Sequence, residues 1–245
     1  MNAMLSVMKG HRSIRKFKEI ELEDKLVKKI LEAAQYASTS NFIQACTVIR
    51  VNNQETRAEI ADLAGPQPWV AQCPLFLVFC ADLKRAEQAC SMHKVEMVKG
   101  FTEQFIIATV DVALVAQNTM LAAESLGLGG VYIGGIRNNP EKVCELLDIP
   151  DMVYPVFGMC LGFPDEDPGR KPRLPLELVL KTDTYSDTCD DTLLSAYDQT
   201  CCDYYNHRDC ANRDDNWTQQ IARMMSQPLR PHMLDFLNSK SFLLK

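Results

Sequence analysis

Apolar positions along the chain follow two different periods, which predicts a mixture of helices and strands. Between residues 22 and 38, apolar side chains recur at helical spacing with Lys and Glu on the other face, which predicts an amphipathic helix. Residues 53–65 predict another helix, ended by Gly65. The alternating residues 47–52 predict a strand between these two helices.

Three further segments predict strands in the middle of the chain. The continuous apolar runs 74–82 (PLFLVFCAD) and 154–164 (YPVFGMCLGFP) are typical of strands buried on both faces. Residues 131–135 (VYIGG) predict a strand that leaves into a glycine turn. Asn139 and Pro140 follow as the N-cap and first position of a short helix.

The longest periodic segment, residues 102–127, is apolar almost all round and predicts a helix in the core. A membrane span is the alternative. Four polar side chains interrupt the segment too often for lipid, so we expect no membrane association. They are Asp111, Gln117, Asn118 and Glu124.

Beyond residue 182 the pattern changes to helices joined by polar loops, around residues 191–205, 214–226 and 231–239. No further strong strand and no internal repeat occurs. The sequence therefore predicts an α+β fold in one domain, residues 1–245, with a core of about 1–182 and a helical C-terminal excursion of about 183–245.

Composition narrows the class of protein. The formal net charge of −6 over 245 residues argues against a general nucleic-acid binder. Half of the ten cysteines lie inside apolar runs, where a free thiol behaves as a small hydrophobic group. Because the N-terminus also lacks the features of a signal peptide, we expect a reducing cytoplasm. The five cysteines are Cys46, Cys73, Cys80, Cys144 and Cys160.

One cluster near the C-terminus raises the question of a metal site: Cys201, Cys202, His207 and Cys210. Its spacing fits no common zinc pattern, so we expect no metal. Whether the vicinal pair Cys201 and Cys202 responds to oxidation stays open.

The densest cationic stretch of this acidic chain is residues 9–18, KGHRSIRKFK. Arg supplies a rigid charged fork and Ser a hydroxyl donor, so HRSIR (11–15) suits a single phosphate or a carbonyl-rich ring. A solvated basic face is the ordinary alternative. Lys171 and Arg173, in a proline-stiffened loop, add two further cations.

Common catalytic motifs do not account for the chain. A GxGxxG motif starting at Gly127 fails because position 132 is Tyr132, and its glycines follow a helix instead of opening one. The sequence contains no GxxxxGK[ST], GxSxG or HExxH. Hydrolase and P-loop chemistry are therefore unsupported.

Six segments in order nevertheless resemble a known family: HRSIRKF (11–17), STSNF (38–42), the glutamine of GPQ (65–67), LGGVYIGGIRNN (128–139), FGMCLGFP (157–164) and KPRLP (171–175). Together they resemble the nitroreductase superfamily. They are most similar to the oxygen-insensitive NADPH nitroreductases and NADPH–flavin oxidoreductases with a C-terminal helical excursion. The resemblance runs from about residue 5 to the C-terminus.

This resemblance implies a central mixed sheet sandwiched by helices in an intertwined homodimer, with FMN at the interface. By resemblance, the first basic segment and the KPR loop bind FMN, and arginine meets its phosphate. Gln67 faces the flavin, and the glycines of YIGG permit close backbone approach to it. Residues 39–41 contact the FMN held mainly by the other subunit, although Thr39 and Asn41 depart from the usual serine run. The implied FMN-binding residues are His11, Arg12, Ser13, Arg15, Thr39, Ser40, Asn41, Gln67, Tyr132, Ile133, Gly134, Gly135, Lys171 and Arg173.

The resemblance also implies NADPH as electron donor, with Arg208 and Arg213 at its 2′-phosphate. An ordinary polar loop, with Arg balanced by neighbouring Asp, is the alternative for these two. Phe42 shapes the substrate pocket by resemblance, or is simply a core aromatic. No residue is assigned as an acid, base or nucleophile, because FMN N5 carries the hydride.

Three functions stay open from the sequence. The first is an FMN enzyme that uses NADPH to reduce nitroaromatics and quinones by ping-pong, two-electron hydride transfer. The second is an NADPH-dependent flavin reductase that supplies reduced FMN to a partner enzyme. The third is a binding module without catalysis, which predicts a colourless protein where either enzyme is yellow. The partners expected are a second copy of the chain and small-molecule oxidants.

Overall fold

A computed structural model describes residues 2–206 and 216–245 of the chain. They form two compact units. The first joins residues 1–168 to residues 232–245, and the second comprises Gly169–Pro231. The strands are β1 Cys46–Arg50, β2 Leu75–Asp82, β3 Gly129–Ile133 and β4 Val153–Gly162. The helices are α1 Ala3–Gly10, α2 Asp24–Ala34, α3 Gln54–Leu63, α4 Pro68–Gln72, α5 Lys84–Met92, α6 Thr102–Ser125, α7 Pro140–Leu146, α8 Leu176–Val179, α9 Asp190–Asn206, α10 Trp217–Met225 and α11 Met233–Ser239.

The four strands form one sheet in the order β1-β2-β4-β3, and neighbouring strands pair antiparallel. A parallel bridge between Ser13 and Gly130 on β3 gives the sheet its mixed character. Every residue of β2 is buried, which confirms the prediction from its continuous apolar run. The two central strands, β2 and β4, therefore lie at the centre of the core.

Helix α6 packs against the sheet and against α2. It is the described helix that is long and apolar enough to cross a membrane, with a mean hydropathy of 1.6. Its buried face, which consists mostly of small residues and includes the carboxylate of Asp111, packs in the core, while Ile106, Val110 and Leu114 are exposed within this chain. Gly127 ends it with a φ of +81°, a conformation that glycine adopts at little cost.

The predicted helix starts and stops agree with the structure where capping residues mark them. The Asn139 side chain accepts a hydrogen bond from Lys142 N, and Pro140 opens α7, as predicted. Asn53 caps α3 in the same way. The sequence pattern did not predict α1 or α5, neither of which buries a residue completely.

The C-terminal segment, residues 232–245, completes the core of the first unit. Phe236 and Phe242 are both 1% exposed. The Phe242 ring packs edge-on against Tyr154 and Phe105, with centroid distances of 5.1 and 6.5 Å. The second unit contains α8, α9 and α10, in which Tyr197 packs against Trp217.

Candidate functional site

Residues 11–18 run in extended form along the β3 edge of the sheet. Ile14 N donates to Gly130 O at 2.9 Å, and Lys18 N donates to Phe163 O at 2.9 Å. Ile14 itself is 2% exposed and anchors the segment in the core. This alternation places Ser13 and Arg15, on either side of Ile14, away from the core.

Acidic side chains lie beside two basic side chains of this segment and beside its backbone. His11 Nδ1 lies 2.6 Å from Glu124 Oε1, and Arg12 Nε lies 2.8 Å from Asp167 Oδ1. The backbone N–H groups of Arg15 and Lys16 both donate to Glu166 Oε1, at 2.6 and 3.0 Å. Two basic side chains of the stretch are thus paired with carboxylates, and a third carboxylate binds its backbone.

Arg15 makes a contact of another kind. Its guanidinium lies over the indole of Trp69, 5.6 Å from the ring centroid, a cation–π contact. Within the described parts of the chain, no carboxylate forms an ion pair with this guanidinium. Arg15 therefore keeps its charge available for an external anion.

Gln67, another predicted site residue, lies two positions before Trp69 and contacts the turn after β3. Gln67 Nε2 donates to Ala64 O at 2.7 Å. A Cβ atom built on Gly135 would lie 2.1 Å from Ala64 O and 2.4 Å from Gln67 Nε2, so only glycine allows this approach. One side of the first unit therefore brings together residues 11–15, Gln67 and the end of β3.

The turn after β3 leaves its backbone accessible at one point. A Cβ on Gly134 would meet only the Arg137 guanidinium, at 3.4 Å or more.

Tyr132 packs edge-on against Phe157 at 5.2 Å and donates to Gln117 Oε1 at 3.4 Å. Burial, with a smaller contribution from Glu124, raises the pKa of Tyr132 to about 12, so its phenol stays protonated at neutral pH.

The second loop of the site, residues 39–44, depends on one carboxylate. Asp111, which is 2% exposed, accepts hydrogen bonds from Thr39 Oγ1 at 2.5 Å, Ser40 N at 3.2 Å and Ala45 N at 3.0 Å. Thr39 Oγ1 also accepts from Gln44 N at 2.8 Å. In the sequence, Asp111 stands out only as a polar interruption of an apolar helix. Its role in holding the loop could not be predicted, because its hydrogen bonds join residues about seventy positions apart.

Three residues of this loop depart from ordinary backbone geometry. Asn41, Phe42 and Gln44 have φ values of 47°, 58° and 56°, in the left-handed region that disfavours side chains. The Phe42 side chain is 79% exposed, so it is not a core aromatic within this chain. The loop presents Asn41 and Phe42 outward.

The remaining predicted site residues belong elsewhere. Lys171 and Arg173 lie in the second unit, on a cleft of about 470 Å³ that is also lined by Tyr197, Cys201 and Trp217. Arg208 and Arg213 lie outside the described residues, as do His207 and Cys210 of the cysteine cluster. No cluster of metal-ligating side chains occurs in the described ranges 2–206 and 216–245.

Comparison with known proteins decides the family. Residues 8–163 match the model of the nitroreductase family, and residues 171–245 match its C-terminal domain. The chain belongs to the nitroreductase family. It is 42% identical over 242 residues to an oxygen-insensitive NADPH nitroreductase of Salmonella typhimurium, covering 99% of both chains.

Further relatives within this family match over nearly their whole length. The chain is 41% identical to an NADPH-flavin oxidoreductase of Vibrio harveyi, covering 98% of both chains. The crystal structure of nitroreductase A from Vibrio parahaemolyticus superposes with a TM-score of 0.93 at 42% identity, covering 100% of both chains. The α+β fold with a C-terminal helical region is the fold of these nitroreductases.

The residues of the first unit fit the FMN expected in this family. Arg12 Nε–H is buried and makes no hydrogen bond, although Asp167 Oδ1 lies 2.8 Å from Nε. Arg15 offers an exposed guanidinium, and Gly134 an open backbone. These donors suit the phosphate and the planar ring of a flavin mononucleotide.

Proposed function

We propose that this protein is an FMN-dependent oxidoreductase that uses NADPH to reduce nitroaromatics and quinones. The observation that carries this proposal is the end-to-end match to relatives named as NADPH nitroreductases and flavin reductases. The gathering of residues 11–15, Gln67 and residues 132–135 at one side of the sheet supports it independently. Bound FMN supplies the chemistry, accepting a hydride and passing it to the oxidant.

The chain's own residues bind and orient the cofactor in this proposal. Arg12 and Arg15 neutralise the FMN phosphate, with His11 and Ser13 beside them. Gln67 and residues 132 and 133 lie along the flavin ring, and Gly134 lets the backbone approach it, while Gly135 allows the close contact with Ala64 and Gln67. The Tyr132 phenol stays protonated at neutral pH and adds no negative charge beside the ring.

Four further cations bind FMN and the electron donor in this proposal. Lys171 and Arg173 serve FMN from the KPR loop, and Arg208 and Arg213 recognise the 2′-phosphate of NADPH. A guanidinium group binds the 2′-phosphate of NADPH much more strongly than the hydroxyl at the same position of NADH. Ping-pong turnover follows if NADP⁺ and the oxidant use the same space in turn.

The functional form in this proposal is a homodimer with FMN at the interface. Helix α6 supports it, because Ile106, Val110 and Leu114 recur four residues apart and remain 47, 49 and 40% exposed. The exposed Phe42 and the loop 39–41 reach the FMN held mainly by the second copy. The location is the cytoplasm, as free cysteines along the described chain suggest.

A second role deserves a test because one relative, from Bacillus subtilis, is named FMN reductase (NADPH) at 41% identity. In that role the protein reduces free flavin for a partner enzyme, using the same site. The two roles differ in the oxidant that accepts the hydride. Steady-state rates with free FMN and with a nitroaromatic, measured at equal NADPH, separate them.

Anaerobic stopped-flow absorbance tests the proposal directly. We expect a yellow protein whose visible flavin band bleaches faster with NADPH than with NADH. Arg208→Ala and Arg213→Ala are expected to weaken NADPH use by about tenfold and leave NADH use unchanged, so NADH is the internal control. Equal rates with both donors would contradict the 2′-phosphate assignment. A protein that binds no FMN would contradict the function itself.

A further inference from the structure

A largely buried carboxylate near the end of α6 is hydrogen-bonded to one of the predicted FMN-binding residues. Glu124 Oε1 lies 2.6 Å from His11 Nδ1, and the Glu124 side chain is 11% exposed. Its other oxygen, Oε2, is buried without a hydrogen-bond partner. Within residues 2–206 and 216–245, His11 is thus the only side chain that binds this carboxylate. Removing a carboxylate from water for a single hydrogen bond is costly, so the contact with His11 needs an explanation.

The path of the basic segment does not depend on this contact. Ile14 is 2% exposed, and its N–H donates to Gly130 O at 2.9 Å. These interactions fix the segment to β3 without any contribution from Glu124. The carboxylate therefore determines the orientation of the His11 ring more than the position of its backbone.

The carboxylate also determines which nitrogen of the His11 ring carries a proton. An ionised carboxylate only accepts hydrogen bonds, so the nitrogen that faces it is the donor. Because the hydrogen bond at one ring nitrogen fixes the state of the other, Glu124 places the proton of the neutral ring on Nδ1. His11 Nε2 has no hydrogen-bond partner among the described residues, and the side chain is 29% exposed. The ring consequently leaves Nε2 for a ligand.

Glu124 lies close to both segments of the first unit that the proposed function assigns to FMN. His11 belongs to the first basic segment, in which Ser13 forms a bridge to Gly130 on β3. Tyr132 is on the same strand, and the charge of Glu124 adds to the rise in its pKa that burial causes. A ring held by this carboxylate is therefore placed where FMN is expected.

We propose that Glu124 is a positioning residue that keeps a proton on His11 Nδ1 and turns Nε2 toward FMN. In the neutral ring Nε2 accepts a hydrogen bond from a hydroxyl of FMN, and with a second proton it donates to the phosphate. The ligand contacts Nε2 in both cases, because Nδ1 is already bound to Glu124. This inference rests on the proposed function, since FMN is the ligand.

Nitrogen-15 NMR of the imidazole rings tests the orientation on the full-length protein, with and without FMN. The chain has four histidines, and the signals that His11→Ala removes are those of His11. We record spectra at about pH 9, above the ordinary histidine pKa of about 6.5. Nδ1 should be protonated in wild type, and Glu124→Ala should move the proton to Nε2, the nitrogen that free histidine prefers in water. Glu124→Gln keeps an oxygen acceptor and should retain the proton on Nδ1.

A titration of FMN affinity separates positioning from a structural role. Glu124→Ala should weaken FMN binding by about tenfold, and Glu124→Gln by about threefold or less. In the His11→Ala background, Glu124→Ala should cause no further loss, because no ring is left to orient. Asp167→Asn removes the negative charge beside the neighbouring Arg12 and is the control that should leave the His11 tautomer unchanged.

Two results overturn the inference. One is a wild-type His11 ring whose only proton is on Nε2, and the other is an equal loss of FMN affinity from Glu124→Ala with and without His11. Both leave the proposed function standing. A wild-type protein that binds no FMN contradicts the proposed function and overturns the FMN contact of His11 with it, even where Nδ1 is protonated.

Discussion

The two loops of the candidate site are held by different means. Residues 11–16 lie along β3 and are fixed by backbone hydrogen bonds and by the buried Ile14. Residues 39–44 contain three left-handed residues and depend on the single buried carboxylate of Asp111. An extended segment shares its support among many groups, whereas a strained loop concentrates its support in one side chain. Mutations should therefore affect the two loops very unequally.

The largest effect is expected from Asp111→Ala. It leaves the Thr39 hydroxyl and the N–H groups of Ser40 and Ala45 without their acceptor, and Ala45 is only 1% exposed. We expect a loss of about 3 kcal/mol in the free energy of unfolding. FMN affinity should fall by about tenfold or more, because the loop loses its geometry. Chemical denaturation and flavin-fluorescence titration measure the two effects.

Two controls belong with this variant. Glu103→Ala removes an exposed carboxylate from the same helix and should change neither quantity appreciably. Asp111→Asn keeps one oxygen acceptor and should fall between wild type and Asp111→Ala. If Asp111→Ala unfolds like the Glu103 variant, the loop has other support and the contrast between the loops is wrong.

Gly129→Ala should disturb the other loop by an intermediate amount. Its new Cβ would lie 2.6 Å from Ile14 Cγ1 and 3.0 Å from Pro164 Cγ, so Ile14 must shift. Overpacking of this kind costs about 1–3 kcal/mol. FMN affinity should decrease with it, because Ser13 and Arg15 flank Ile14. Gly127→Ala, where a Cβ meets nothing within 4 Å but φ is +81°, separates backbone strain from the displacement of Ile14.

Glu166→Gln should have the smallest effect. The amide keeps an oxygen acceptor for the backbone N–H groups of Arg15 and Lys16, and both hydrogen bonds are exposed to solvent. A change of about 0.5 kcal/mol or less in unfolding free energy is expected, with FMN affinity unchanged within about twofold. A tenfold loss of FMN affinity would show that this loop, too, depends on one side chain.

Much of the fold can be predicted from the sequence because local signals mark it. The continuous apolar runs predict β2 and β4, and the structure confirms both as buried strands. Asn139 and Pro140 mark the start of α7. By contrast, the pattern did not predict α1. Its apolar residues Met4, Leu5 and Met8 are exposed, so this helix has no buried face for hydrophobic periodicity to indicate.

The candidate site is harder to predict, because its contacts join distant parts of the chain. Nothing local indicates that Arg15 stacks on Trp69 or that Gly135 touches Ala64, and only the family resemblance suggested that these segments meet. Likewise, no local pattern indicates that Glu166 and Asp167, in a proline-rich loop, contact the first basic segment. Hydrophobic periodicity indicates which residues are buried, whereas polar contacts between distant residues produce no repeating pattern in the sequence.

The place of residues 232–245 in the fold also bears on how the protein is made. Phe105 and Tyr154 leave the ribosome well before Phe242, the ring that covers them. At synthesis rates of about 5–20 residues per second, this aromatic surface stays uncovered for seconds while residues 169–231 are translated. The first unit therefore cannot close its core during most of translation, and a nascent chain stalled before residue 232 presents a hydrophobic surface to chaperones.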